Sequence, residues 1–258
     1  MELQRNEFKR ALAEGRPQFG LWTSLSGGYA VEAVAGAGLH WLMFDTEHSP
    51  NDLETILASL QVAAAYPTQA VVRVPSNDRV TIKRILDIGA QTLLIPQVNT
   101  ADDARAAVAS TRYPPHGERG VGGTTRATRF GRVKGYATKA HEEICVIVQL
   151  ESRLALDNLE AIAAVDGVDA LFIGPADLHA SMGHPGETRH PQIVPLIDDA
   201  IARIRKTGKA CGTILTGDPA DVERWLGMGV LFVAVGSDLG LLARGADALA
   251  ARYVARRT

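Results

Sequence analysis

Eight short apolar runs, at 19–23, 41–45, 70–74, 92–96, 144–151, 169–173, 210–215 and 231–235, alternate with segments of helical length. Several, such as Val230-Leu231-Phe232-Val233-Ala234-Val235, are apolar throughout rather than at every second position. That is how a parallel strand covered on both faces reads. Amphipathic segments at 28–37, 51–65, 78–88, 101–112, 153–164, 192–207 and 218–228 lie between the runs; 238–255 follows the last and 3–14 precedes the first. The punctuation agrees. Ser49-Pro50-Asn51-Asp52 reads as an N-cap region, and Asp102-Asp103 acidifies a helix start. Gly38, Gly89, Gly208 and Gly229 each fall at a helix end just before a strand. This alternation over 258 residues predicts one α/β domain, 1–258, folded as a (β/α)8 TIM barrel with an added N-terminal helix. A doubly wound open sheet is the competing arrangement, but it usually needs fewer strands or a second domain.

One connection breaks the rhythm. Residues 97–143 separate the fourth and fifth runs, far more than one helix requires, and contain Tyr113-Pro114-Pro115-His116-Gly117-Glu118-Arg119-Gly120-Val121-Gly122. Loops this long in compact domains tend to be functional. Hydrophobic residues make up 46% of the chain and aromatics 5%, which predicts a large core of Ala, Val, Leu and Ile. A net charge of −2 gives no electrostatic case for nucleic acid or an anionic membrane surface. Cys145 and Cys211 sit inside apolar runs and read as reduced core residues. With no signal-like N-terminus and no apolar run near the ~20 residues of a membrane span, a cytoplasmic protein is expected.

The chemistry gathers at run ends. If the strands are parallel neighbours, Asp45, Glu47 and His48, Arg73, Gln149 and Glu151, and Asp177 converge on one carboxyl edge, where barrels place their active sites. Glu151 and Asp177 are the metal-ligand candidates, suited to a hard octahedral ion. The competing reading makes Glu151 a cap for a helix near Ser152 and Asp177 a cap for a short helix after Pro175. A helix opening at Gly174-Pro175-Ala176-Asp177 would also turn backbone N–H groups toward an anion. Arg73 reads either as a rim salt bridge or as the cation that stabilises a developing oxyanion. His48 is a candidate base flanked by acids. Asp87 is a helix-end acid or a partner for a neighbouring imidazole. His40, His141, His179, His184 and His190 lack such a context. None of the six lysines ends a candidate strand, which favours metal-stabilised over imine chemistry.

From about Phe19 to Val235 the chain resembles the HpcH/HpaI aldolase family, specifically its 4-hydroxy-2-oxoheptanedioate aldolase type. The resemblance rests on Gly20-Leu21-Trp22, Asp45-Thr46-Glu47-His48-Ser49-Pro50-Asn51-Asp52, Leu86-Asp87-Ile88-Gly89-Ala90-Gln91, the Tyr113–Gly122 segment, Gln149-Leu150-Glu151-Ser152-Arg153 and Phe172-Ile173-Gly174-Pro175-Ala176-Asp177-Leu178. It implies a class II aldolase on a (β/α)8 barrel that reversibly joins pyruvate to an aldehyde. It implies Glu151 and Asp177 as ligands of Mg²⁺, Mn²⁺ or Co²⁺, Arg73 at the pyruvate keto oxygen, His48 as base and Asp87 as its paired acid. Gln149 and Asp45 match pocket positions, and Gly174, Pro175 and Ala176 match the pyruvate carboxylate site. Trp22 and Leu215 fall on the aldehyde side, where Thr213-Ile214-Leu215-Thr216-Gly217 departs from the aliphatic segment the resemblance implies. A homo-hexamer, a trimer of dimers exchanging their last helix, is also implied, with the Arg119–Thr125 loop turned toward a neighbouring subunit. The alternatives are a 2-keto-3-deoxy sugar-acid aldolase of the same family, an acyl-CoA lyase of the citrate-lyase-β or malyl-CoA type, and a barrel that only binds.

Overall fold

The computed structural model describes residues 1–254 as a closed barrel of eight parallel strands. The strands are β1 (Gln18–Thr23), β2 (Trp41–Asp45), β3 (Gln69–Arg73), β4 (Thr92–Ile95), β5 (Cys145–Leu150), β6 (Ala170–Ile173), β7 (Ala210–Ile214) and β8 (Phe232–Ser237). They pair in sequence order, and β1 closes the ring on β8. The expected TIM barrel is therefore present, and every expected strand lies within two residues of an observed one at each end.

The helices α1 (Glu7–Ala13), α2 (Gly28–Ala35), α3 (Leu53–Ala63), α4 (Arg79–Asp87) and α5 (Ala101–Thr111) serve the first half of the barrel. In the second half are α6 (Tyr136–Glu143), α7 (Arg153–Asp157), α8 (Leu159–Ala163), α9 (Pro175–Ser181), α10 (Val194–Lys206), α11 (Ala220–Met228) and α12 (Asp238–Tyr253). Asp52 caps α3 in a reciprocal capping box with Thr55, and Thr100 caps α5 in the same way with Asp103. Gly38, Gly89, Gly208 and Gly229 all take positive φ, as helix ends turning into strands require. Two expectations shift. The segment 153–164 is two helices joined at Asn158, and the long connection contains α6. Residue 255, the end of the expected last helix, lies outside the described residues.

Side-chain parity divides the core. Trp41, Met43, Val71, Leu94, Cys145, Ile147, Ala170, Phe172 and Phe232 fill the barrel, whereas Leu42, Phe44, Val72, Val146, Val148 and Leu171 face the helices. Large rings fit because small residues oppose them. A Cβ on Gly20 would stand 2.2 Å from the Trp41 ring, and one on Gly212 would stand 2.2 Å from Phe232. From α1, Phe8 closes the amino-terminal end, edge-on to Trp41 at 5.9 Å and to Phe232 at 5.6 Å. With that end sealed by aromatic side chains, polar inward residues are accommodated at the carboxyl end.

Candidate active site

The parity that buries Trp41 and Met43 also turns Asp45 inward at the last position of β2. Arg73 ends β3 directly opposite it in register. Both are buried, at 1% and 5% exposure, so each must be paired. Arg73 donates from Nε to Asp45 Oδ1 at 2.8 Å and from Nη2 to Asp45 Oδ2 at 2.6 Å. This is a bidentate fork. Trp22 Nε1 donates to Asp45 Oδ2 at 3.2 Å, and the guanidinium lies 4.6 Å from the centroid of the Trp22 ring. Burial by itself would raise the Asp45 carboxyl, but the Arg73 hydrogen bonds and charge outweigh it and hold the carboxyl below its ordinary value.

Glu47 continues the same parity one step past the strand. Its Oε2 lies 2.9 Å from Arg73 Nη1, close enough for an ion pair but misaligned for a hydrogen bond. Burial raises this carboxyl despite the arginine, and the Asp45 and Asp177 charges add to the effect. Glu47 is the functional candidate that the sequence reading left without a role; the i, i+2 spacing from Asp45 was the available signal.

On the opposite wall, Gln149 and Glu151 lie on the inward parity of β5, and both are buried. Glu151 Oε1 accepts from the Gln97 backbone at 2.6 Å, and Oε2 accepts from Gln149 Nε2. Glu151 caps no helix: Ser152 fills that position for α7, accepting from the Ala155 amide. Asp177 is exposed in the first turn of α9, whose N-cap is Gly174 with no side-chain capping bond, so neither capping alternative holds. Burial pushes Glu151 up to about 7, and the Asp177 and Glu47 charges add to the push against the bonds from Gln97 and Gln149.

Gly174 is where these pieces meet. A Cβ there would come 2.8 Å from Gln149 Nε2 and 3.0 Å from Glu151 Oε2, so only glycine leaves the carboxylate its place. Pro175 is buried and Ala176 exposed, and among the described residues the Ala176 and Asp177 amides take no acceptor. Those two N–H groups are first-turn donors at the start of α9, the turn that carries Asp177.

Three expectations are revised. Asp87 accepts from Arg119 Nη2 at 2.8 Å and makes no hydrogen bond with His48 within the protomer. His48 is 63% exposed at its side chain, and its Nε2 lies 4.0 Å from Glu47 Oε2. Leu215 packs with the outer shell, so Ile214, one residue earlier and on the inward parity, is the aliphatic group at the barrel interior. Trp22 meets the site chiefly as the wall behind Arg73.

Comparison with known proteins bears on the family and the fold. The family model for HpcH/HpaI aldolase/citrate lyase matches residues 18–245. A pyruvate aldolase of Rhizobium etli is 57% identical over 98% of this chain and 99% of its own length. A 4-hydroxy-2-oxo-heptane-1,7-dioate aldolase of Salmonella dublin is 54% identical over 98% of this chain and 96% of its own. Among solved structures, an HpcH/HpaI aldolase/citrate lyase family protein from Burkholderia cenocepacia superposes with a TM-score of 0.92 at 40% identity, covering 96% of this chain and 98% of that one.

Proposed function

The chain belongs to the HpcH/HpaI aldolase/citrate lyase family, and from that premise we propose that it is a class II aldolase cleaving a 4-hydroxy-2-oxo acid, such as 4-hydroxy-2-oxoheptanedioate, reversibly to pyruvate and an aldehyde. It is an enzyme of the carbon–carbon lyase class. The observation that carries the reading is one buried guanidinium, Arg73, facing a group of acids at the carboxyl end of the barrel.

The residues fit a hard divalent ion. Glu151 is a carboxylate pushed up chiefly by burial and further by the Asp177 and Glu47 charges, Asp177 stands in electrostatic reach of it, and Gln149 Oε1 is buried without a partner. The donors are all oxygen, which suits Mg²⁺, Mn²⁺ or Co²⁺. Glu151 and Asp177 would hold the ion, which when bound supplies Lewis-acid polarisation of the keto acid.

The chain supplies the rest. Arg73, fixed by Asp45 and Trp22, sets its charge against the oxygen that becomes the enolate. The Ala176 and Asp177 amides receive the pyruvate carboxylate. His48 takes the 4-hydroxyl proton as the C3–C4 bond breaks. Asp87 is committed to Arg119 in its own protomer, so its pairing with His48 is assigned to a subunit boundary, where the exposed imidazole is reachable. Ile214 bounds the aldehyde side, with Trp22 as the wall behind Arg73. The homo-hexamer is part of this proposal, supported by a last helix that presents leucines to solvent. Among the described residues no helix is long and apolar enough to cross a membrane.

The test is pyruvate release from 4-hydroxy-2-oxoheptanedioate and from a panel of 4-hydroxy-2-oxo acids that includes sugar-acid substrates. The assays run with EDTA and then with Mg²⁺, Mn²⁺ or Co²⁺ restored. Activity is expected to vanish with chelation and return with metal, and the panel ranks the acceptors. Chelation-resistant turnover trapped by borohydride would replace the metal reading with an imine. Turnover of CoA thioesters alone would move the chain to the acyl-CoA lyases.

A further inference from the structure

We propose that the loop between α9 and α10 is a second divalent-metal site, separate from the catalytic acids and built from His184, Glu187 and His190. The ligand atoms of these three residues all lie within 4.8 Å of one another. Two backbone devices bring them together. His184-Pro185-Gly186-Glu187 is a tight turn closed by the Glu187 amide on the His184 carbonyl at 3.2 Å, with Gly186 at φ +82°. Pro then Gly at its two central positions is the type II pattern, and such a turn sets its first and fourth side chains side by side. His184 Nδ1 accordingly stands 2.9 Å from Glu187 Oε1.

The second device is a buried peg. His179 is fully buried; its Nδ1 lies 2.6 Å from the Pro175 carbonyl and its Nε2 accepts the His190 amide at 3.2 Å. Both its nitrogens are used, so His179 positions the loop rather than joining the site. Its own carbonyl accepts the His184 amide at 2.9 Å. The His184 and His190 rings are thereby stacked at 3.5 Å. The one cation in this stretch, Arg189, is drawn away to Asp221 at 3.2 Å.

Two imidazoles and a carboxylate form a borderline donor set that selects Zn²⁺, Co²⁺ or Ni²⁺ over Mg²⁺. The catalytic acids offer oxygen alone, so the two sites differ in preference. A bound ion would cross-link the α9–α10 loop to itself, just past the helix that carries Asp177.

The experiment titrates Zn²⁺ into tag-free protein by calorimetry. Wild type is expected to bind two equivalents per chain, and the Glu151→Gln/Asp177→Asn and His184→Ala/His190→Ala variants one each. Glu187→Gln, which removes a direct ligand charge, should weaken the second site by at least the about 10- to 100-fold that losing a hydrogen-bond partner of a ligand costs. The His184→Ala/His190→Ala protein should keep its Mg²⁺-dependent turnover. Loss of all Zn²⁺ binding in Glu151→Gln/Asp177→Asn, or two equivalents retained in His184→Ala/His190→Ala, would overturn the proposal. If the double-histidine variant does not fold, X-ray absorption on the Zn²⁺-loaded Glu151→Gln/Asp177→Asn protein decides: imidazole scattering supports the site, and an all-oxygen shell refutes it.

Discussion

A guanidinium 5% exposed has to be held, and Arg73 is held on three sides, by the Asp45 fork, the Glu47 carboxylate and the Trp22 face. A lysine ammonium cannot reproduce that fork. Arg73→Ala should lower kcat for pyruvate release by ~10²-fold or more, as removing one oxyanion donor does, and Arg73→Lys should recover little of it. Near-normal turnover in either variant would remove Arg73 from the enolate. Glu151 is the other residue whose environment forces a consequence. Its folded pKa, about 7, lies above the ~4.3 of an unfolded glutamate. Between those values the native state keeps a proton the unfolded chain has released. The group's contribution to stability is thus complete below about 4 and is lost as pH rises through about 7. A cation that binds only the carboxylate reverses that loss. The rise in Tm on adding Mg²⁺ should therefore be larger at pH 8 than at pH 6; an equal or smaller rise at pH 8 would take Glu151 out of the metal site. Arg73 and Glu151 were legible in the sequence because each closes an apolar run. Glu47 and Ile214 were not, because their roles depend on parity carried past a strand end, and a one-residue slip reverses the face. Arg119 lay hidden in the long connection: it is fully buried, 4.6 Å from the Tyr113 ring centroid and paired to Asp87, contacts that no spacing in the sequence announces.

Helix α1 shows how an element outside the barrel repeat becomes part of it. Asn6 caps the helix with its side chain, which accepts from the Lys9 amide, while its Nδ2 donates to Thr92 Oγ1 at 2.9 Å and to the Glu143 carbonyl at 3.1 Å. Arg10 forks onto Glu143, whose carboxyl also accepts the Asn6 amide at 2.7 Å. The Arg10 hydrogen bonds pull Glu143 below its ordinary value against a smaller burial effect. This latch holds Phe8 against Trp41 and Phe232. Phe8→Ala should cost about 3–5 kcal/mol, since the cavity it leaves is walled by rings that cannot collapse into it. Denaturant unfolding measures this, and a loss under about 1 kcal/mol would mean that the plug is dispensable. The sequence shows that a helix precedes the first strand, because its apolar spacing is helical. The place where it docks is not legible, because Glu143 belongs to α6, an element hidden inside the long connection. Likewise the single amphipathic pattern over 153–164 gives no sign of the break at Asn158, whose side chain turns to the Asn99 carbonyl at 3.0 Å.

At the scale of the whole molecule, one helix is anchored to its barrel at its start and leaves its apolar side chains exposed. Asp238 is the only buried residue of α12, and it anchors the start by accepting from the Ser24 and Leu25 amides. Beyond it, Leu239, Leu241, Leu242, Leu249 and Tyr253 are each 47–61% exposed. A helix of 16 residues in water gains most of its stability from burying an apolar face, and α12 buries none on its own barrel. Several large apolar side chains exposed along one helix suit an interaction surface. The assembly proposed above supplies the cover as a second copy of this chain, and the proposed pairing of Asp87 with His48 rests on the same assembly. Light scattering of the wild type should therefore give about six times the 27.5 kDa chain mass. Leu242→Glu/Leu249→Glu places two charges in the covered face, and burying an unpaired carboxylate is costly enough to open it. The variant should give a smaller species and a fall in kcat, with the barrel still folded by circular dichroism. A wild-type mass equal to one chain at assay concentration would leave α12 uncovered and return Asp87 to Arg119 alone. An unchanged mass in the variant would place the contact on another face.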